Sequence, residues 1–289
     1  MLAILARCIS AGHRMLYSRE YEFWQVWKNL SFPHRPTAEE VGAYRGFIGG
    51  ALAGGKKLLI LGATPELRDL AAELGADTTL FDIEPGIFAG MLRFCRRATP
   101  EREVWIKGDW LTAPLPERHY DVILGDLILR NVDIAEQERL LETIRKACVP
   151  GGKFITRVHC INPENRKRSW EEIFDETAKY PFAEKKYEAM GILLSRLFDK
   201  STKEERASPE DIAHAAHGYL KTRKPSFEYR LFLLEFLEKR IRNMKRLASQ
   251  AREDIERLLM KYFVIEHARI GGEYPEAEFY PIYLLRPRK

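Results

Sequence analysis

Short apolar segments alternate with helix-forming segments between residues 56 and 160. The apolar segments have no polar face, which is typical of strands buried on both sides of a parallel sheet. Helix signals follow them, such as Thr64-Pro65 at a helix start and Gly75 at its end. This alternation predicts a doubly wound α/β sheet with right-handed crossovers. Five strands are predicted, at residues 57–61, 78–81, 104–106, 120–124 and 153–158.

The alternation of strands and helices ends after the fifth strand, where residues 161–261 have the pattern of a large helical insertion. Strand signals return at residues 262–265 and 279–285, with Gly271-Gly272 between them, and predict an antiparallel C-terminal hairpin. The predicted fold is therefore a mostly parallel, seven-stranded sheet that carries this hairpin and the insertion. Helix starts inside the insertion are predicted where a serine precedes an acid by three residues, at Ser169/Glu172 and Ser208/Asp211.

Three regions are predicted along the chain. Residues 1–50 form an N-terminal helical and aromatic cap, in which Thr37 and Glu40 predict a capping box for a helix over about residues 38–48. Residues 51–160 and 262–289 form the sheet domain, and residues 161–261 form the insertion. The cap and the insertion are candidates for a lid over a pocket, with ordinary core packing as the alternative.

The composition is that of a globular protein, with 45% hydrophobic and 31% charged residues and a net charge of +5. Residues 161–261 hold 22 Lys and Arg against 18 Asp and Glu, which favours a solvated helical surface over a focused nucleic-acid patch. The four cysteines have neither C-x-x-C nor zinc-finger spacing and are interpreted as reduced thiols. We expect a cytoplasmic protein. An organellar presequence, suggested by the acid-free, arginine-containing residues 1–19, is the less favoured alternative.

Ligand-binding chemistry is predicted at the carboxyl ends of four strands, where open α/β sheets bind ligands. Gly62 follows the first strand and would let a ligand approach the backbone. Asp82 ends the second strand and could accept the hydroxyls of a ribose. Asp109 follows the third and could accept from an adenine amino group, with the Trp110 ring as a stacking face. Asp126 ends the fourth.

These motifs, in this order, resemble those of the class I S-adenosylmethionine-dependent methyltransferases. The resemblance rests on Leu58–Glu66, Thr79–Ile83, Gly108–Trp110, Tyr120–Asp126 and Val149–Ile155. It implies a Rossmann-like domain with S-adenosylmethionine as cofactor. The residues that it implies as cofactor contacts are Gly62, Ala63, Thr64, Glu66, Asp82, Ile83, Asp109, Trp110, Asp126 and Leu127.

The first motif departs from the family pattern. Ile60 stands where the family usually has an acid, and Thr64 and Glu66 replace later glycines. Glu66 either pairs with the ammonium or sulfonium of the cofactor or points outward as a first-turn acid. The chain also lacks the G-x-G-x-x-G motif, which argues against a nicotinamide reductase. It has no N-P-P-Y tetrad after the fourth strand either.

Candidate catalytic residues are Asp126 and His159, which end the fourth and fifth strands and could act as a base toward a hydroxyl or thiol. For His159, a structural role as a strand-end histidine is the favoured interpretation. Arg130 and Asn131 could orient an acidic or polar substrate or, alternatively, simply fill a loop. No metal is expected, because His214 and His217 lack a third ligand.

The favoured substrate is a small molecule, because a long helical insertion suits an enclosed chamber. RNA or protein as substrate, and an inactive protein that keeps the fold, are the alternatives. No membrane partner is expected. The stripe of Leu234, Leu237, Ile241 and Met244 predicts packing within the chain or, alternatively, a homodimer seam.

Overall fold

The computed structural model describes residues 27–28, 30, 32–51, 57–200, 208–239 and 249–288. The acid-free N-terminus and the Ile241 and Met244 part of the apolar stripe lie outside these residues, so their predicted roles stay predictions. Within the described ranges, no helix combines the length and apolar character needed to cross a bilayer.

One seven-stranded sheet organises the molecule, with the strand order β3-β2-β1-β4-β5-β7-β6. Strand β7 pairs antiparallel with both of its neighbours, and the other strands run parallel to one another. This confirms the predicted doubly wound sheet with its antiparallel C-terminal hairpin. The strands are β1 Lys57–Leu61, β2 Asp77–Asp82, β3 Glu103–Lys107, β4 Tyr120–Asp126, β5 Cys148–Arg157, β6 Phe263–Arg269 and β7 Ile282–Pro287.

The α-helices fall into two groups, those that cover the sheet and those of the insertion. The first group comprises α1 Ala38–Ala51, α2 Pro65–Glu73, α3 Pro85–Leu92 and α4 Gln137–Ala147, which precede the insertion, and α10 Arg252–Tyr262, which follows it. The second comprises α5 Pro163–Lys167, α6 Trp170–Ala178, α7 Phe182–Asp199, α8 Pro209–Thr222 and α9 Phe227–Lys239. A 3₁₀ turn at Ile134–Glu136 precedes α4.

Apolar side chains on both faces of the sheet explain why its strands lack a polar side. In β1, Leu59 and Leu61 join the core on one face, and Leu58 and Ile60 join the core on the other. All four are at most 2% exposed. Full burial of one such side chain stabilises the fold by about 1.5–3 kcal/mol, which makes this strand a central element of the domain.

Capping boxes begin three of the helices, as the sequence predicts. At α1 the backbone N–H of Thr37 donates to Oε2 of Glu40 (2.8 Å). The same reciprocal pattern joins Ser169 to Glu172 at α6, and Ser208 to Asp211 at α8. Each box satisfies backbone donors that would otherwise lack partners at a helix start.

The insertion has a hydrophobic core of its own, built by α6, α7, α8 and α9 around Phe174, Leu193, Tyr219 and Phe232. Helix α10 behaves differently. Its Ile255, Leu258 and Leu259 pack into the core of the sheet. The predicted insertion, which ends at residue 261, therefore includes one helix that belongs structurally to the sheet domain.

The last strand, predicted over residues 279–285, begins later in the structure than predicted. Residues 277–279 form a 3₁₀ turn, and β7 begins only at Ile282. Pro281, directly before the strand, has no N–H to donate to a neighbouring strand. The apolar and aromatic character of residues 279–281 therefore reflects burial rather than strand pairing.

Candidate active site

Gly62 forms a tight corner between β1 and α2. Its φ of +97° lies in the left-handed region, where a side chain would be strained. A Cβ at this position would lie 3.9 Å from Oδ2 of Asp82 and 4.0 Å from the Trp110 ring. The three residues that the sequence assigned to one nucleoside site therefore converge on one small space, which the absent side chain leaves open.

Backbone bonds between neighbouring strand ends hold this arrangement. The N–H of Gly62 donates to the Phe81 carbonyl (2.9 Å), and the N–H of Gly108 donates to the Asp82 carbonyl (2.9 Å). The Trp110 indole donates to the Phe81 carbonyl as well (2.8 Å). The end of β2 therefore fixes both the glycine corner and the tryptophan.

Asp82 and Asp109 each use one carboxylate oxygen to hold their own loop. Oδ1 of Asp82 accepts from the N–H of Glu84 (3.0 Å), and Oδ1 of Asp109 accepts from the N–H of Leu111 (2.9 Å). Partial burial raises the pKa of Asp82. The other oxygen of Asp82, Oδ2, faces Gly62 and is placed to accept from a ligand. Next to it, Ile83 is 60% exposed and offers an apolar surface at the open edge of the corner.

Glu66, in the first turn of α2, points toward the N-terminal loop. Its Oε1 accepts from Nε of Arg35 (2.5 Å), and Arg35 lies 5.8 Å from the centre of the Trp27 ring. Oε2 of Glu66 is buried without a hydrogen-bond partner. Burial raises the pKa of Glu66, although Arg35 opposes the shift. The side chain thus carries an unsatisfied acceptor in the interior and does not point outward.

Ile60 has a purely structural environment. It is completely buried in the sheet core, together with Leu58 and Leu124. The position where related domains usually have an acid is therefore filled with core packing. Glu66 is the buried carboxylate in this corner, and it comes from the following helix.

Asp126 belongs to a buried ion cluster with Arg157 and Glu40. Nε and Nη2 of Arg157 donate to the two oxygens of Asp126 (2.8 and 3.0 Å), and Nη1 donates to Oε2 of Glu40 (2.5 Å). Burial opposes the charge on Arg157, but both carboxylates outweigh it and raise the pKa of Arg157. Because both oxygens of Asp126 accept from Arg157, the geometry does not favour Asp126 as a base.

Two tyrosines complete this ion cluster. The hydroxyl of Tyr44 donates to the Gly125 carbonyl (2.9 Å) and accepts from the N–H of Arg157 (2.9 Å). The hydroxyl of Tyr274 donates to Oε1 of Glu40 (2.9 Å). The sequence alone does not indicate that Glu40, Tyr44, Arg157 and Tyr274 form a cluster. The available signal was Arg157, a charged residue directly after the buried run Phe154-Ile155-Thr156 of β5.

His159 is buried between protein groups on both sides of its ring. Its Nδ1 lies 3.2 Å from the hydroxyl of Ser249, and its ring stacks on Tyr280 with centroids 4.7 Å apart. Its Nε2 lies 3.2 Å from Oδ1 of Asp199 without the alignment of a hydrogen bond, so both atoms are buried without one. Burial lowers the pKa of His159. Both nitrogens face protein, which favours a positioning role over proton transfer with a substrate.

Arg130 lies near this histidine in a polar and aromatic cluster between the sheet and the insertion, which we call the chamber and which includes His34, Phe198 and Tyr280. Its guanidinium carbon is 4.0 Å from the centre of the Phe198 ring in α7, and its Nη1 is 3.4 Å from Nδ1 of His34. His34 lies in turn 3.1 Å from the carbonyl of Gly191. Asn131 is exposed. Of the two predicted substrate-orienting residues, only Arg130 thus lies in the chamber.

Gly191 allows α7 to approach the N-terminal loop closely, and we expect Gly191→Ala to disturb this contact. A Cβ there would lie 2.7 Å from the Phe32 carbonyl oxygen. Relieving this overlap should cost about 1–3 kcal/mol of unfolding free energy, measured by urea denaturation. Gly218→Ala in α8 is the matched control, since nothing lies within 4 Å of its Cβ, and it should stabilise by about 0.5–1 kcal/mol. Equal effects of the two substitutions would contradict this close contact.

A second concavity lies at the opposite edge of the sheet. This open groove of about 610 Å³ is lined by residues at the amino ends of the strands, among them Lys57, Asp77 and Tyr120. Parallel α/β sheets bind ligands at the carboxyl ends of their strands. We therefore place the site at Gly62 and not in this groove.

The comparisons with known proteins agree with this fold. Residues 62–156 match the sequence model of the family described as methyltransferase domain. No curated protein matches the chain. A structure from Rhodobacter sphaeroides, provisionally described as a Zn-dependent alcohol dehydrogenase, is 18% identical, with a TM-score of 0.57 and coverage of 93% of this chain and 98% of that one.

A TehB-like SAM-dependent methyltransferase from Corynebacterium glutamicum is 10% identical, with a TM-score of 0.50 and coverage of 94% and 99%. The N-methyltransferase NodS from Bradyrhizobium japonicum, in complex with S-adenosyl-L-homocysteine, is 11% identical, with a TM-score of 0.48 and coverage of 92% and 97%. At these identities, the likeness to the Rhodobacter and Corynebacterium structures supports the fold and not a particular reaction.

The parallel sheet, its antiparallel β7 and the glycine corner define a class I, Rossmann-like domain. Residues 62–156 of this domain are similar to the methyltransferase-domain family, whose cofactor is S-adenosylmethionine. The corner fits that cofactor, because Gly62 leaves a cradle beside a carboxylate and Glu66 holds an unsatisfied acceptor nearby.

Proposed function

We propose that this protein transfers the methyl group of S-adenosylmethionine to a small molecule held beneath the helical insertion. The observation that carries the proposal is the convergence of Gly62, Asp82 and Trp110, which lie at the ends of three different strands. A Cβ placed on Gly62 would lie within about 4 Å of both the Asp82 carboxylate and the Trp110 ring. Its position at the carboxyl ends of β1 and β2 is where this fold binds nucleotides.

The residues of this corner have distinct roles in the proposal. The free edge of Asp82 accepts from the ribose, and Trp110 and Ile83 provide apolar surface for the adenine. The N–H groups at the start of α2, from Ala63 and Thr64 onward, face the polar end of the ligand. Oε2 of Glu66 accepts from the ammonium. Asp109, Asp126 and Leu127 shape the same edge through the backbone.

When bound, the cofactor supplies a methyl group that is already activated on a positively charged sulfur. The task of the protein is then to align the acceptor, and positioning alone can supply roughly 7–11 kcal/mol. The loop at residues 32–37, Arg130 and α7 enclose the space where the acceptor would lie. Because neither Asp126 nor His159 has a free basic atom aimed there, the chain contributes by binding and by excluding water.

A small molecule is the favoured acceptor, because the polar groups of the chamber are buried. His159, Ser195 and Asp199 are each at most 4% exposed. Basic residues on the insertion form ion pairs within it, including Arg168–Glu176, Lys186–Glu235 and Arg223–Glu171. Such pairs neutralise basic side chains and so reduce the positive surface potential that RNA binding would need.

Calorimetric titration with S-adenosylhomocysteine, and separately with NAD⁺, tests the proposal. We expect saturable binding of S-adenosylhomocysteine and none of NAD⁺. Binding of NAD⁺ alone would contradict the proposal and would favour the redox chemistry suggested for the Rhodobacter protein. Binding of neither ligand would favour an inactive protein that keeps the fold.

We expect the affinity for S-adenosylmethionine to depend on pH through Glu66. Its pKa is raised by burial, so the carboxylate is charged above that pKa and becomes protonated as the pH falls through it. Affinity should therefore fall with decreasing pH, starting above the range of an ordinary glutamate. Glu66→Gln should lower the affinity roughly ten-fold at neutral pH.

The pH profile of Glu66→Gln should also be shallower, leaving the contribution of Asp82, whose pKa is raised as well. Glu73→Gln, on the same helix, is the control, because a hydrogen bond from Arg45 lowers the pKa of Glu73. Its profile should match that of the wild type. Identical profiles for wild type and Glu66→Gln would exclude the proposed contact.

A further inference from the structure

Arg130 is a half-buried cation that lacks a carboxylate partner among the described residues. Its one polar contact is Nδ1 of His34, and its plane lies against the Phe198 ring. Asp199 influences Arg130 through its charge but makes no ion pair with it. Its Oδ2 accepts from Asn165 (2.9 Å), and its Oδ1 faces His159 without a hydrogen bond. A guanidinium has five N–H donors, so most of those on Arg130 are unused.

The orientation of His34 shows that it cannot neutralise this cation. Its Nε2 lies 3.1 Å from the Gly191 carbonyl, which can only accept, so Nε2 carries the proton. Nδ1 is then a lone-pair acceptor for Arg130. Burial first, and the charge of Arg130 second, hold the pKa of His34 well below its ordinary value. The imidazole therefore stays neutral at physiological pH.

Arg130 keeps some access to solvent at the nitrogens that make no hydrogen bond. Its nitrogens are not among the side-chain atoms that are sealed in the interior without partners, so water can reach those that make no hydrogen bond. Burying a cation without a counter-charge is costly. The contacts with Phe198 (4.0 Å) and His34 (3.4 Å) nevertheless restrain the guanidinium from two sides.

We propose, building on the proposed function, that Arg130 binds the carboxylate of the small-molecule methyl acceptor. A planar guanidinium with unused N–H donors matches a carboxylate with two parallel N–H···O bonds. The surrounding rings of Phe198, Tyr280 and His159 favour a carboxylate on a flat or apolar body. The substrate class is therefore a small carboxylic acid, which binds between the N-terminal loop and α7.

Calorimetry with three carboxylates, formate, acetate and benzoate, each paired with its amide at constant ionic strength, tests this site. For wild type, at least one carboxylate should bind roughly ten-fold or more tightly than its amide, since charge-assisted bidentate pairs are the strong ones. Arg130→Met keeps the length and the contact with Phe198 but should lose this selectivity. Arg130→Lys should retain part of it. Arg230→Met, at an exposed arginine of α9, is the control and should behave as wild type.

Thermal unfolding of the same variants separates binding from structure. Removing an uncompensated cation should leave the melting temperature of Arg130→Met equal to or above that of wild type. A large decrease, or failure to fold, would assign Arg130 a structural role and overturn the inference, as would equal affinities for every carboxylate and its amide. The titration with S-adenosylhomocysteine is independent. Carboxylate selectivity without cofactor binding would support the carboxylate site and refute methyl transfer. Cofactor binding without carboxylate selectivity would support the proposed function and refute the carboxylate site.

Discussion

Replacement of Asp82 by alanine is expected to weaken binding of S-adenosylhomocysteine by roughly ten- to a hundred-fold. The reason is that Oδ2 of Asp82 faces the glycine corner and is placed to accept from the ribose hydroxyls. Hydrogen bonds to a charged partner contribute about 1.5–3 kcal/mol, which corresponds to that loss of affinity. Isothermal titration at neutral pH measures the dissociation constant directly.

Asp77 provides a matched control for Asp82. It begins the same strand, at the opposite edge of the sheet, and is exposed. Asp77→Ala should leave the dissociation constant unchanged, whereas Asp82→Asn should show an intermediate loss because the amide retains one acceptor. Equal affinities of wild type and Asp82→Ala would show that the ribose lies elsewhere.

Replacement of Arg157 by methionine is expected to destabilise the fold by about 3–5 kcal/mol, the usual cost of removing one partner from a buried ion pair. Arg157 is completely buried, and its loss leaves both Asp126 and Glu40 without their counter-charge. Urea denaturation followed by circular dichroism measures the free energy of unfolding.

The control for this change is Arg257→Met, which removes an exposed arginine paired with Asp254 on α10. Exposed pairs of this kind contribute about 0.3–0.5 kcal/mol, so this variant should be nearly as stable as wild type. In the double variant Arg157→Met/Asp126→Asn, the loss should be smaller than the sum of the single losses, because the neutral amide no longer needs a counter-charge. If Arg157→Met lowered the free energy of unfolding as little as Arg257→Met does, the ion cluster would not stabilise the fold.

The cofactor corner could be predicted from sequence because its geometry follows from local order. Leu61 and Phe81 are register partners on neighbouring parallel strands, so the residues that follow them must lie side by side. Alternating strands and helices are sufficient to place Gly62 and Asp82 together. The same reasoning located Asp126 correctly at the edge of the sheet.

The role of Asp126 could not be predicted, because its partners come from distant parts of the chain. Arg157 binds Glu40 across 117 residues of sequence, and Glu40 binds Tyr274 across 234. No local periodicity records such contacts. A strand-end aspartate next to a buried arginine becomes structural, although its position in the sequence favours catalysis.

The chamber could not be predicted for the same reason, because its residues come from distant parts of the chain. His34, Arg130, Phe198 and Tyr280 belong to four segments that meet only after the insertion has packed on the N-terminal loop. The sequence indicated Arg130 because it follows the fourth strand, but it gave no reason to include His34 or Phe198. The close approach at Gly191 had no signal beyond a single glycine inside a helix.

A crystal structure of the complex with S-adenosylhomocysteine tests the central claim most directly. We expect the ribose hydroxyls about 3 Å from the Asp82 carboxylate, the adenine against Ile83 and Trp110, and the amino group of the amino-acid end beside Glu66. A ligand bound in the groove at the amino ends of the strands, or a Gly62 corner without ligand at saturating concentration, would contradict the account.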